Sequence, residues 1–320
     1  MGVGHVALDY YLNQESPFRS FPVCALLDPR PAGDRWIPVS AASATALSTG
    51  VNISSDNGKS ENQKHYPTLF DYAKQEKKST GVIATSSLTY PIPAAFITSV
   101  EHWGREHDIA YRIFNSDTDV LLGGGSRFFK MNTVTNTNLI PLMQDRGYTY
   151  ISQQSQLDVL NPEKTEKILG LFADEALRKA NYRSLSLTLM MEKAVAVLEK
   201  NKNGFVLVVD GSQIDWRAHE RDDDGLLTEL HDFSEAINWA VNYQKKNPET
   251  LIVMSGTNET GGIFLIRDDS EPSQVSIKYN TSLHTANLCP IFAKGPGEDR
   301  IGGIMSIADL GKELIDFIRE

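Results

Sequence analysis

The stretch Phe205–His219, FVLVVDGSQIDWRAH, holds residue types that do chemistry at spacings that would bring them together. Phe205 to Val209 is apolar without alternation, which suits a strand buried on both faces in a parallel sheet covered by helices. Asp210 then stands at the carboxyl end of that strand. Open α/β sheets place ligand sites there, because the loops collect side chains from several strands. Asp215 and His219 follow, spaced to share one face of a helical turn. Carboxylate oxygen and imidazole nitrogen both ligate zinc, so the pair could hold two corners of a tetrahedron. The same residues would also suit a solvated polar loop, and spacing alone leaves both readings open. Ser40 opens a small-residue segment, Val39–Gly50 (VSAASATALSTG). A serine there acts as an N-cap for free backbone amides, and those amides would also favour a phosphate lying against it.

The elements that position these residues follow from periodicity and punctuation. Residues 1–19 are expected to begin as a helix with Val6, Leu8 and Tyr11 buried, and Ser20–Leu27 as a strand. Gly50 is expected to cap the small-residue helix. The polar residues 51–64 read as a mobile loop. A helix with Pro67 in its first turn follows, with Leu69, Phe70 and Ala73 as its apolar stripe. Gly81–Thr85 and Asp119–Leu122 read as strands, the second running into Gly123, Gly124 and Gly125 at a tight turn. Helices are expected at 136–146, 162–180 and 186–200, and a long amphipathic one carries Leu226, Leu230, Phe233, Ile237 and Val241. Thr250–Met254 reads as a strand, 263–283 as an irregular small flap, Ala286–Ala293 as an apolar run, and Ser306 as the cap of a final helix. This alternation, without repeats or an evident linker, predicts one α/β domain over 1–320. Its core would be a three-layer sandwich with a mostly parallel central sheet flanked by helices.

Composition narrows the function. With 41 acidic against 31 basic residues and no long basic run, the chain lacks the electrostatic footprint of a nucleic-acid surface. No apolar run approaches the roughly 20 residues that span a bilayer. The opening MGVGHVALDYY has neither a basic nor a hydrophobic signal region, so no secretory signal is expected. Cys24 and Cys289, each inside an apolar run, suit buried thiols; two isolated cysteines make no disulfide framework.

Several segments together resemble the alkaline phosphatase family. GSQIDWRAH is similar to that family's stretch with aspartate and histidine zinc ligands. SAASATALSTG is similar to the stretch around its phosphate-accepting serine, and TYPIPAAF to the stretch around its magnesium ligands. STGVIATSS, DVLLGGG, ETGG and HTANLCPIFAKGPG match in the same order. The resemblance implies two zinc ions and one magnesium beside a nucleophilic serine, with an arginine clamping the phosphate of a monoester. Family members are commonly periplasmic or secreted; a homodimer is admitted.

Carried over residue by residue, the resemblance gives a divided answer. Asp215, His219 and His284 match the three protein ligands of one zinc, an arrangement that leaves a position for water or substrate. Thr257 and Asn258 stand where the second zinc has aspartate and histidine, and both are poor zinc ligands. The family's bridging aspartate lies in a GDGMG motif of which only Met1 and Gly2 match, so a central strand is expected to be missing or rebuilt. Val39 replaces the acid before Ser40, the nucleophile position. Tyr90 and Ile92 stand at magnesium positions, and Asp210 is a shorter version of that site's glutamate. Trp103 falls where the arginine is expected, and an indole has one donor and no charge. The expectation is therefore an alkaline-phosphatase-like protein with one zinc and no firm magnesium site. It would bind a phosphate ester or phosphate-like anion, with impaired or lost monoester hydrolysis. The alternative is a metal-dependent phosphomonoesterase working with a single zinc.

Overall fold

The strand Ser79–Ser87 lies at the heart of the molecule, and it is apolar or small throughout because helices cover both its faces. The computed structural model describes residues 1–53, 66–99, 103–267 and 275–320. In it, Ser79–Ser87 pairs in parallel with Val120–Gly124 on one side and with Phe205–Asp210 on the other. Lys167–Leu171 and Tyr148–Ile151 extend the sheet beyond Val120–Gly124, giving five parallel strands with Phe205–Asp210 at one edge.

Successive side chains along these strands point to opposite layers. Val82, Leu121 and Leu169 pack with Phe70, Ala94, Ile109 and Phe129 on one face. Ile83, Val120, Leu122 and Ile168 pack with Met190, Ala194, Leu198 and Ala236 on the other. Each of the larger ones, Val, Leu, Ile, Phe or Met, contributes about 1.5–3 kcal/mol when fully buried. The result is the expected three-layer α/β arrangement.

A four-stranded sheet lies beside the first, in the order Ile304–Ser306, Val23–Asp28, Cys289–Lys294, Ile252–Ser255. Here Cys289–Lys294 runs antiparallel to both its neighbours, so this part is mixed. The helix Asp223–Lys246 starts at the Asp222 cap, with Asp223 and Asp224 in its first turn and Lys245 and Lys246 in its last, matching the helix dipole. It is tied down by Arg183, whose guanidinium, 6% exposed, pairs with Glu229 at 2.8 Å and Asp232 at 2.7 Å.

Several expectations are corrected. Residues 162–180 form no helix: Pro162–Lys164 is a short 3-10 turn, Lys167–Leu171 a sheet strand, and Ala180–Tyr182 another turn. The run KILGL is short enough to be a strand, and pairing on both edges settles it. The flap is a regular antiparallel hairpin of Ile263–Arg267 with Val275–Tyr279. The first helix, Val3–Leu12, buries His5, Leu8 and Asp9, while Tyr11 is 69% exposed. Pro67 precedes its helix, which begins at Leu69 behind the Thr68 cap. The Phe205–Asp210 strand is half-buried along its whole length rather than enclosed. The loop at 51–64 lies, from residue 54 on, outside the described residues.

Cys24 and Cys289 sit on adjacent strands but face Phe292 and Leu27 respectively, and both are free. Cys289 is buried as expected, and that burial pushes its thiol up to about 11; Cys24 instead points outward. A thiol reagent is expected to modify one cysteine quickly in the folded protein and the second only on unfolding; two equally fast reactions would contradict this packing. Arg183→Ala is expected to lower stability by about 3–5 kcal/mol, since it strands two carboxylates against the helix. A denaturant midpoint unchanged from the parent would refute that role.

Candidate metal centre

Asp210 ends its strand, Gly211 breaks the direction, and the helix Ser212–Glu220 begins at once. Asp215 and His219 fall one turn apart on this helix, as their spacing predicts. His284 arrives from a distant part of the chain, on a two-residue strand that pairs antiparallel with Glu259–Thr260. Asp215 Oδ2 lies 3.5 Å from His219 Nε2, and Oδ1 lies 3.5 Å from His284 Nε2. One ligand atom from each of the three lies within 4.8 Å of the others, and among the described residues no other group of three His, Cys, Asp or Glu residues is arranged to hold a metal ion.

Both imidazoles are held from behind. His219 Nδ1 lies 2.6 Å from the Ser282 carbonyl, and His284 Nδ1 lies 2.9 Å from the Pro38 carbonyl. A carbonyl can only accept, so each Nδ1 carries a proton and each ring turns its Nε2 toward Asp215. That orientation is the one a divalent cation needs, and the three donors suit zinc. Burial opposes ionisation of Asp215. Hydrogen bonds with His219, His284 and Thr260 outweigh that and hold the carboxyl well below its usual range. The Asp215 carboxylate in turn raises His219 above its ordinary value, against partial burial.

The neighbouring positions are organised around an amide. Asn258 Nδ2 donates to Asp215 Oδ1 at 2.9 Å and to Thr260 Oγ1 at 3.0 Å. Its Oδ1 accepts from Thr257 Oγ1 at 3.2 Å and, over a long 3.4 Å, from Ser40 Oγ. Asn258 thus links the serine to the carboxylate with every polar atom engaged. Hydroxyls and an amide whose nitrogen donates are poor zinc donors. Ser40 is corrected in one respect: Val39 is the helix N-cap, and the serine hydroxyl makes no capping bond.

The expected magnesium positions are each engaged with protein partners. Burial pushes Asp210 up to about 7, opposed by a hydrogen bond from Ser212. Tyr90 meets Trp216 edge to face at 5.3 Å and accepts from its Nε1 at 3.3 Å. Ile92 packs against the main core, and Trp103 is buried in it, its Nε1 without a partner among the described residues. Residue-type reasoning missed Thr260, whose hydroxyl donates to Asp215. It also missed the Ser282 and Pro38 carbonyls, which leave no mark in a sequence.

The alkaline phosphatase family model matches residues 10–270. Alkaline phosphatase 4 of Bacillus subtilis is 36% identical over 242 residues, covering 72% of this chain and 51% of the relative. The chain spans about half the length of the first curated relatives it matches. The alkaline phosphatase of the Antarctic bacterium TAB5 superposes with a TM-score of 0.92 at 25% identity, covering 100% of this chain and 95% of that one. A variant of that enzyme, described with magnesium bound in its M3 site, superposes at 0.91 with 26% identity over 100% and 95% of the two chains.

A cation entering between the three side chains has to displace the proton that Asp215 favours on His219. With its folded value raised, His219 protonation stabilises the fold below pH about 6.5, and that contribution is lost as pH climbs through the raised value. Zinc affinity is therefore expected to rise over the same interval. At a hundredfold excess over Kd, zinc is expected to add about 2.7 kcal/mol of stability, several degrees in Tm. His284→Ala is expected to abolish the gain. A zinc-induced shift of equal size in that variant would exclude the centre.

Proposed function

The chain belongs to the alkaline phosphatase family, and from that premise we propose that it holds one zinc through Asp215, His219 and His284 and binds a phosphate monoester or similar anion there, hydrolysing it weakly or not at all. The observation that carries this reading is Asn258, which joins Ser40 to Asp215 where the family resemblance calls for a second zinc. When bound, the zinc would supply Lewis acidity toward a phosphoryl oxygen.

What the chain's own residues do follows from their partners. Ser40 stands at the first turn of the helix Ser40–Thr49, where backbone amides favour an anion. Its hydroxyl meets an amide oxygen, which is no base, so the proton stays on the serine and the oxygen remains weakly nucleophilic. Trp103, buried in the core, offers no guanidinium to clamp a phosphate. Losing several electrostatic stabilisers, each worth about 3 kcal/mol, removes many powers of ten in rate even where their effects overlap.

A second reading rests on the ligand count. Three protein ligands leave one position open, the arrangement of a catalytic zinc, so water rather than Ser40 could act as nucleophile. Two measurements on protein purified without chelator separate the readings. Metal analysis is expected to give close to one zinc per chain and little magnesium; two zincs would sink the assignment. Turnover of an aryl phosphate is expected to match that of His219→Ala. Robust turnover that His219→Ala loses and Ser40→Ala keeps would favour the one-zinc hydrolase, and loss in both would restore the serine route.

A further inference from the structure

The helix Ser212–Glu220 carries a second face beside the one that holds the metal ligands. Gln213, Trp216, Arg217 and Glu220 stand three and four residues apart and share it, while Asp215 and His219 share the next. The first set lines an open groove of about 600 Å³ whose other wall is Leu177, Arg178, Lys179 and Tyr182. Trp216 belongs to the groove and directly follows the metal-centre carboxylate in the chain. Its indole is fixed there, edge to face with Tyr90 at 5.3 Å and with Nε1 donating to the phenol oxygen at 3.3 Å.

Both walls are held by buried polar contacts. Gln213 is 2% exposed and its side-chain amide donates to the Leu177 carbonyl, while the Leu177 N–H donates to the Thr85 carbonyl at 3.0 Å. Arg183, locked on Glu229 and Asp232, also donates to the Arg178 carbonyl at 2.7 Å, and Glu229 accepts from the Ala180 N–H at 2.7 Å. A groove fixed in this way meets a ligand without paying to order its own walls. The side chains it presents are not all used up. Lys179 pairs with Asp222 at 2.6 Å and Glu220 at 3.3 Å, and Arg217 with Glu220 at 2.7 Å, so two cations meet two carboxylates. Arg178 is exposed and its side chain has no hydrogen bond or ion pair among the described residues. It leaves the groove one unmatched positive charge on a chain of net charge -10. Tyr182, 69% exposed, and the half-buried Trp216 add ring surface, and Leu177 adds apolar surface.

We infer that this groove takes the organic part of the phosphate ester bound at the metal centre, and that it selects an aromatic body carrying a second anionic group. The inference rests on the reading of that centre as a phosphate-ester site. Aromatic side chains favour planar partners, and a guanidinium fork binds a carboxylate or phosphate through two parallel hydrogen bonds. The unmatched charge of Arg178 repels a cationic body. An α-helix with its side chains is about 10–12 Å across, so the step from one face to the next past Trp216 is short enough for a single small molecule.

Calorimetric binding to the full chain with zinc present tests this, with phosphonates because their phosphorus–carbon bond is not hydrolysed. The probes are inorganic phosphate, benzylphosphonate, para-carboxybenzylphosphonate and para-(aminomethyl)benzylphosphonate. The carboxylated probe is expected to bind about tenfold tighter than benzylphosphonate, and Arg178→Gln to erase that difference. Tyr182→Ala is expected to weaken both of these probes roughly threefold relative to inorganic phosphate. Equal affinity for the carboxylated and plain probes, a preference for the amine, or a carboxylate preference that Arg178→Gln retains would overturn the inference alone, provided inorganic phosphate binds. Undiminished binding of the carboxylated probe to His284→Ala would separate the groove from the centre and overturn it too. If neither inorganic phosphate nor any phosphonate binds, the reading of the centre falls and takes the inference with it.

Discussion

One half-buried carboxylate, Asp215, is where three separate parts of the chain converge. His219 approaches it from the same helix, Asn258 and Thr260 from the segment after Ile252–Ser255, and His284 from the short strand paired with Thr260. An ionised carboxylate withdrawn from water costs several kcal/mol unless it is paired and hydrogen-bonded. Here two imidazoles, an amide and a hydroxyl surround it. Among the described residues no strand of one sheet pairs with a strand of the other, so side chains join them: this carboxylate, the helix Asp223–Lys246, and the helices Ser40–Thr49 and Ile307–Arg319, whose Leu47 and Leu314 pack against the cores of both.

The same constraint divides the site. A carboxylate that must stay ionised accepts a cation readily, and the two imidazoles complete a three-donor set. The oxygen that faces His284 also accepts from Asn258, a neutral group with both a donor and an acceptor end. The amide satisfies Asp215 and Ser40 together without a metal between them. It gives the serine hydroxyl an acceptor, the amide oxygen, rather than a base. Asp210 fits this picture, since a carboxyl whose burial favours the protonated form has no partner charge close enough to reverse the shift.

Much of the fold was legible because its strands are short, apolar and closed by turn residues. The ordered motifs of the family resemblance placed nearly the whole chain. The failures share a cause. Residues 162–180 contain helix-favouring types, and only their place between two strands makes Lys167–Leu171 a strand. The hairpin after Gly262 depends on pairing with a partner strand that local pattern does not specify. Tyr11 is expected to be buried with Val6 and Leu8, yet the first helix turns Leu8 and Asp9 inward and leaves the Tyr11 ring outside. The unalternated run Phe205–Val209 reports two covered faces, and that is true of the strand. It carries no information about the edge, because an edge is a property of neighbours.

The site shows the same limit at finer grain. A spacing of four predicts that Asp215 and His219 share a helix face, since that depends only on the helical repeat. It cannot predict which nitrogen of His219 faces the carboxylate. The Ser282 carbonyl decides that by accepting a hydrogen bond from Nδ1–H, and for His284 the Pro38 carbonyl does the same. Every residue has a carbonyl, so neither partner leaves a signature in residue type. Identities therefore name the groups that can bind a cation, while sequence-silent backbone atoms fix the tautomers that let them. Asn258 stands between these cases: its identity argues against a zinc ligand, but only its position shows that it occupies the gap between Ser40 and Asp215 as a bridge.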